Sequence, residues 1–130
     1  MVNRMLVTML TEFLVRAEQR GDAGSELIEE VRSYILENPD KPLSLEDLAR
    51  RANLSPYHFA RTFKRQVGLS PHDYLIHTRL SLAKFYLLST GDSVKQIAYN
   101  CGFTSECGFC TTFKKRLGVT PTKYRASHAK

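Results

Sequence analysis

The chain has few cysteines and no long apolar run, and these two features limit the classes of protein to which it can belong. Three cysteines, an odd number without dense spacing, argue against a secreted disulfide scaffold and fit the reducing cytoplasm, where we expect the protein. No apolar stretch approaches the roughly 20 residues of a membrane-spanning helix, so no membrane partner is expected. The apolar segment 5–15 is interrupted by Thr8, Thr11 and Glu12 and precedes no small-residue cleavage site, so a signal peptide is not expected either.

Metal-ligand spacing is missing as well. The four histidines are scattered without the paired spacing of a zinc site, so we predict no metal and no cofactor. Cys107 and Cys110 have the C-x-x-C form, but no strand or βαβ pattern surrounds them, and no catalytic constellation is visible elsewhere. We therefore predict that the protein is not an enzyme. A redox-sensing function through these two cysteines is kept as an alternative, because a helix N-terminus can activate a thiol.

Acidic residues are too few to balance the basic ones. The chain has 19 Lys and Arg against 13 Asp and Glu, a net charge of +6 and a pI near 9.4. Segment 1–24 is balanced, so the whole surplus lies in residues 25–130. Because phosphates concentrate negative charge, this surplus favours a polyanionic partner for that part of the chain.

The sequence does contain an internal repeat. Segments 45–74 and 94–124 align with one inserted residue, Thr104. Before the insertion, small or apolar residues expected in the core match at helical spacing: Leu45, Leu48, Ala49, Ala52 and Leu54 against Val94, Ile97, Ala98, Cys101 and Phe103. After it the matches are identities: Ser55, Phe59, Thr62, Phe63, Lys64, Gly68, Pro71 and Tyr74 recur as Ser105, Phe109, Thr112, Phe113, Lys114, Gly118, Pro121 and Tyr124. The fold is therefore predicted to be duplicated.

Helix-start and helix-stop residues mark the element boundaries. Each of four starts combines a serine N-cap with a capping-box partner or a proline: Ser44 with Asp47, Ser93 with Gln96, Ser55 with Pro56, and Ser70 with Pro71. Gly68 and Gly118 suit left-handed helix ends. These signals predict an all-α fold with helices over 25–38, 45–52, 56–67, 71–90, 94–101, 106–117 and 121–126, and a separate helix over 3–20.

Each repeat predicts a helix-turn-helix unit, in which the second helix can enter the major groove of double-stranded DNA. With Phe59, Phe63, Val67, Phe109, Phe113 and Leu117 turned inward, the outer faces present Tyr57, Ala60, Arg61 and Lys64 in one copy and Glu106, Cys107, Cys110, Thr111 and Lys114 in the other. Arg61 suits guanine, Glu106 suits the cytosine amino group, and Tyr57, Ala60 and Thr111 suit thymine methyl groups. Phosphate contacts are predicted for Ser44, Lys64, Arg65, Lys114, Lys115 and Arg116.

The helix over 71–90 is predicted to space the two units. At 1.5 Å per residue it is roughly 30 Å long, close to the roughly 34 Å between adjacent major-groove faces. This length predicts two successive grooves read from one side of the duplex, with DNA that is bent or easily bent.

Residues 25–126 resemble the DNA-binding domain of the AraC/XylS family of bacterial transcription regulators. The most specific matches lie near the end: Gly102-Phe103-Thr104-Ser105, Phe113-Lys114-Lys115, Gly118-Val119-Thr120-Pro121 and Tyr124-Arg125. Leu48-Ala49, Phe63-Lys64, Gly68-Leu69-Ser70-Pro71, Arg79-Leu80 and Ala83-Lys84 match too. The resemblance implies two homeodomain-like, three-helical lobes at 25–70 and 92–126, bridged by a linker helix at 71–90, within a DNA-binding domain over 25–130.

The resemblance also implies function. Bases would be read through Pro56, Tyr57, Ala60 and Arg61 in the first unit, and through Glu106, Cys107, Cys110 and Thr111 in the second. Many members have arginine at the position of Thr111, so weaker base reading by the second unit is expected. Transcription activation through RNA polymerase is implied, with residues 1–24 as the end of a sensor or dimerisation domain or as part of a stand-alone member. The alternative is a protein-interaction module, whose large exposed apolar patch we do not find in the sequence.

Overall fold

A computed structural model describes residues 23–128, and every regular element in that range is an α-helix. In chain order the helices are α1 (Ala23–Glu37), α2 (Leu45–Arg51), α3 (Pro56–Val67), α4 (Pro71–Ser89), α5 (Val94–Asn100), α6 (Glu106–Leu117) and α7 (Pro121–His128). The predicted all-α class is confirmed. The helix predicted over 3–20 lies outside the described residues. No helix within 23–128 has the length and apolarity needed to span a membrane.

Serine side chains fix the four predicted helix starts. The hydroxyl oxygens accept hydrogen bonds of 3.1 to 3.2 Å from the amide three residues on: Ser44 from Asp47, Ser55 from His58, Ser70 from Asp73, and Ser93 from Gln96. Ser105, which was not predicted as a cap, accepts the same bond from Gly108 at 3.0 Å. Both predicted capping boxes are only half formed, since the Asp47 carboxylate contacts Arg50 and the Gln96 amide donates to Asn100. The serine cap alone is enough to begin these helices, because it satisfies an amide that has no partner within the helix.

The turn inside each helix-turn-helix unit has the same hydrogen bonds in both copies. The amide after the turn donates at 3.0 Å to a carbonyl five residues earlier: Leu54 to Ala49, and Phe103 to Ala98. This Schellman closure needs one residue in the left-handed region. Asn53, with φ of 57°, and Gly102, with φ of 96°, supply it at little steric cost. The inserted Thr104 follows this closure and leaves it intact.

The chain divides within α4 into two compact units, the first ending at Thr78 and the second starting at Arg79. Unit one has a core around Phe59 and Phe63, which are fully buried with ring centroids 5.6 Å apart. The Tyr74 ring meets Phe63 edge-on at 5.6 Å. The other buried apolar residues of this core are Ile28, Val31, Ile35, Leu36, Leu48, Ala49, Ala52 and Leu75.

Unit two has the same aromatic core. Phe109 and Phe113 are fully buried with centroids 5.6 Å apart, and Tyr124 meets Phe113 edge-on at 5.7 Å. Arg125 adds a contact specific to this unit: its Nε donates to the Leu87 carbonyl at 3.0 Å and its Nη2 to the Thr90 carbonyl at 3.1 Å. These bonds satisfy the Leu87 carbonyl in the last turn of α4, where carbonyls lack a partner within the helix, and the Thr90 carbonyl directly after the helix.

Two residues predicted to lie in the core are exposed instead. Leu45 is 39% exposed and Leu117 is 36% exposed. Leu45 is the first residue of α2 and Leu117 the last of α6. At these helix ends fewer neighbouring side chains are available to cover a leucine. The repeat counterparts Val94 and Val67 are half-buried.

Candidate nucleic-acid interface

The second helix of the helix-turn-helix in unit one, α3, separates a buried aromatic side from an exposed basic side. Phe59 and Phe63 face the core, whereas Arg61, Lys64 and Arg65 are exposed. The helix has no acidic residue to offset these three cations. The side facing solvent is thus suited to a polyanion.

Tyr57 and Arg61 form a pair on this exposed side. Tyr57 is 73% exposed, and the Nη1 of Arg61 donates to its hydroxyl at 3.4 Å. The guanidinium carbon lies 5.7 Å from the centre of the tyrosine ring. The contact uses one of the five N–H donors of arginine, so the fork that binds guanine is still available. The i,i+4 spacing is the sequence signal that could have predicted this pair.

Three further predicted contacts of unit one occupy different environments. Pro56 and Ser44 are exposed at the first turn of α3 and at the cap of α2. Ala60 is half-buried and lines an apolar cavity of about 210 Å³, together with Leu43, Leu45, Leu48, Ser70, Pro71, His72 and Leu75. Only part of the Ala60 methyl group can therefore meet a thymine methyl.

The second helix of the helix-turn-helix in unit two, α6, presents a less basic face. Glu106, Cys107 and Thr111 are exposed, and Cys110 is half-buried. Burial raises the pKa of the Cys110 thiol, and the neighbouring Glu106 and Cys107 raise it further. The polar start of this helix therefore carries a carboxylate and two thiols where α3 carries Pro56, Tyr57 and Ala60.

The basic residues predicted to meet phosphates cluster near the helix ends. Lys64 and Arg65 lie in the last turn of α3, and Lys114, Lys115 and Arg116 lie in the last turn of α6; all five are exposed. Cations in the last turn of a helix also interact favourably with its dipole, so their position has a structural reason beside the functional one.

Gly108 shapes the first turn of α6. Its amide donates to the Ser105 hydroxyl at 3.0 Å, and an added Cβ would lie 3.1 Å from the same oxygen. Its repeat counterpart His58 makes the equivalent bond to Ser55 at 3.2 Å while carrying a full side chain. The glycine is therefore not required by the cap itself.

Three contacts within unit one were not predicted from the sequence. Arg32 is 2% exposed and pairs with Glu29 at 2.6 Å. The Arg51 guanidinium stacks 3.6 Å from the ring centre of Tyr34. The Gln66 amide, from the last turn of α3, donates to the backbone oxygen and hydroxyl of Ser25, both at 3.0 Å. Only the first has a local signal, the i,i+3 spacing. Within residues 23–128, no group of three or more His, Cys, Asp and Glu side chains could hold a metal ion.

Known proteins contain the same pattern. The profile of a family described as a helix-turn-helix domain matches residues 48–127, more than half of the chain. The bifunctional transcriptional activator/DNA repair enzyme AdaA of Bacillus subtilis is 38% identical over 101 residues, which cover 78% of this chain and 48% of AdaA. The transcriptional regulator MtrA of Neisseria gonorrhoeae is 37% identical over 91 residues, covering 70% of this chain and 30% of MtrA. The chain spans less than half the length of these relatives.

Solved structures agree with the sequence matches. The DNA-binding domain of the global transcriptional factor AdpA, crystallised with a target DNA, superposes with a TM-score of 0.76 at 33% identity, covering 78% of this chain and 92% of that one. A regulator from Chromobacterium violaceum, described as having an AraC-type DNA-binding domain, gives 0.73 at 34% identity, covering 84% and 98%. The resemblance seen in the sequence is confirmed: the chain belongs to the AraC-type family of helix-turn-helix transcription regulators.

Proposed function

We propose that the protein binds double-stranded DNA with sequence specificity through the exposed faces of α3 and α6. The proposal rests on one observation: in both copies of the repeat, the second helix of the helix-turn-helix is held in the core by two buried phenylalanines and exposes a polar face. A helix held in this way can insert its polar face into a major groove while its phenylalanines stay buried. The DNA complex of AdpA, a structural relative of this chain, supports the same partner.

The two helices are proposed to contribute unequally. In α3, the Tyr57–Arg61 pair gives a partly ordered arginine for guanine, with Pro56 and Ala60 beside it. In α6, Glu106, Cys107, Cys110 and Thr111 offer shorter or acidic side chains, of which Glu106 suits cytosine. Ser44, Lys64, Arg65, Lys114, Lys115 and Arg116 are proposed to hold the phosphates. Unit one should therefore supply most of the base specificity.

Selection from a randomised duplex library tests the proposal. Two enriched motifs about one helical turn apart would support reading by both units. One motif alone would mean that unit two binds only the backbone. No enrichment over the starting library, at any salt concentration, would overturn the proposal and favour a protein-interaction module.

We further propose that the protein activates transcription through contact with RNA polymerase. AdaA is named an activator, which supports this direction of regulation, whereas the names of the relatives give no support to a redox function. Segment 1–24 is proposed to be the end of a sensor or dimerisation domain. Transcription with purified polymerase should rise when a promoter carries the selected site and stay constant when that site is scrambled. A fall with the intact site would identify a repressor.

A further inference from the structure

Helix α6 carries two thiols on the side that we assign to DNA. Cys107 is exposed and Cys110 is half-buried, whereas the third cysteine, Cys101, is fully buried in the core. The repeat counterparts of the two thiols are Tyr57 and Ala60, so a cysteine is not needed at either position to build a unit of this fold.

The spacing of the two cysteines nearly suits a disulfide. Residues three apart on an α-helix have Cα atoms about 5 Å apart, inside the range of about 4.4 to 6.8 Å found in disulfides. Their Cβ atoms, about 5 to 6 Å apart, are wider than the usual 3.5 to 4.5 Å. Closing the bond would therefore distort the first turn of α6. Gly108 lies between the two cysteines, and glycine gives the helix the least resistance to such a distortion.

We propose that Cys107 and Cys110 form a modification site at which a low-molecular-weight disulfide converts the two thiols into an intramolecular disulfide, weakening DNA binding by unit two. This inference rests on the proposed function. Distortion of the first turn would displace Glu106, Cys107 and Cys110 from the positions in which they meet bases. Unit one has no thiol among its described residues and would keep its own contacts.

The reaction proceeds in two exchange steps. The Cys107 thiolate attacks one sulfur of the small disulfide RSSR, forming a mixed disulfide and releasing one thiolate. The Cys110 thiolate then attacks the Cys107 sulfur and releases the second. The two protons lost by the cysteines go to the two released thiolates, so RSSR is reduced to two RSH while the cysteine pair is oxidised. The exposed Cys107 is the accessible first nucleophile, whereas Cys110 is half-buried and this burial raises the pKa of its thiol.

Strain makes this modification reversible. A disulfide that holds its Cβ atoms outside their preferred separation stores energy and is reduced more readily than a structural one. An exposed position adds to this lability. Reduced glutathione should therefore restore both thiols and the affinity for DNA.

Glutathione disulfide tests the proposal on the whole chain. Treatment should lower the mass by two hydrogen atoms and reduce the alkylatable thiols of the denatured protein from three to one. Affinity for a duplex with the selected site should fall about tenfold, as expected for the loss of one good base contact, and recover with reduced glutathione. Affinity for a duplex whose unit-two half is scrambled should not change.

The variant with both Cys107→Ser and Cys110→Ser is the control, compared only with itself before and after treatment. Its affinity should be the same in both conditions. A mixed disulfide without ring closure, or a closed disulfide that leaves the affinity unchanged, would overturn the inference. If the reduced wild-type protein binds no DNA, the proposed function fails, and so does the proposed effect of oxidation on binding. The mass of the treated protein still shows whether the disulfide forms.

Discussion

Replacing Arg61 by alanine should separate base recognition from stability. In the free protein the Arg61 side chain is exposed. It donates one hydrogen bond of 3.4 Å to the Tyr57 hydroxyl, and its guanidinium carbon lies 5.7 Å from the centre of the Tyr57 ring. Exposed contacts of this kind contribute about 1 kcal/mol or less, so the unfolding free energy should change by no more than that. A guanine contact is worth about 1 to 3 kcal/mol, so binding to the selected site should weaken about 5- to 150-fold.

Fluorescence anisotropy at fixed salt can measure this loss on four duplexes that differ only at the base pair assigned to Arg61. The wild-type protein should prefer one of the four, and the Arg61→Ala variant should bind all four alike. Lys64→Ala, which removes a cation from the same helix, is the matched control and should weaken all four equally. If Arg61→Ala kept the base preference and lost affinity uniformly, Arg61 would contact a phosphate and not a base.

Three further substitutions test other parts of the molecule. Lys114→Ala should reduce the slope of log affinity against log salt by about 0.9, the value for one lost phosphate contact, and an unchanged slope would remove Lys114 from the interface. Gly108→Ala should raise the unfolding free energy by about 0.5 to 1 kcal/mol in denaturant titrations, because alanine favours the helix over glycine and the counterpart His58 shows that the cap accepts a side chain. Destabilisation would mean that the 3.1 Å contact with the cap oxygen cannot relax. Arg125→Met should lower the unfolding free energy by about 1 to 3 kcal/mol, because the carbonyls of Leu87 and Thr90 lose their donor. An unchanged unfolding free energy would show that water replaces this donor.

Helix boundaries could be predicted from sequence because their signals are local. A serine three residues before the amide that it caps, a proline at the first position and a glycine past the last one act within a single turn. The repeat also predicted the aromatic core, since Phe59 and Phe63 recur as Phe109 and Phe113 and all four are fully buried. The predicted burial of Leu45 and Leu117 was wrong, because the burial of a side chain at a helix end depends on neighbouring elements that helical periodicity does not describe.

Contacts between distant residues could not be predicted in this way. The stacking of Arg51 on Tyr34 and the bonds from Gln66 to Ser25 join residues far apart in the sequence. Such pairs arise from how α1 packs against α2 and α3, which no spacing rule encodes. For the candidate interface, the exposed residues were predicted by removing the buried face of each helix. The pairing of Arg61 with Tyr57 was not predicted, although its i,i+4 spacing is a local signal.

Backbone amide chemical shifts, followed while a selected duplex is added to the 14.8 kDa protein, show directly which residues contact the DNA. We expect the largest shift changes at residues 55–61 and 105–111, at the exposed starts of α3 and α6. Changes concentrated on the exposed acidic side of α1, around Glu26, Glu30 and Glu37, with none in α3 or α6, would contradict this expectation.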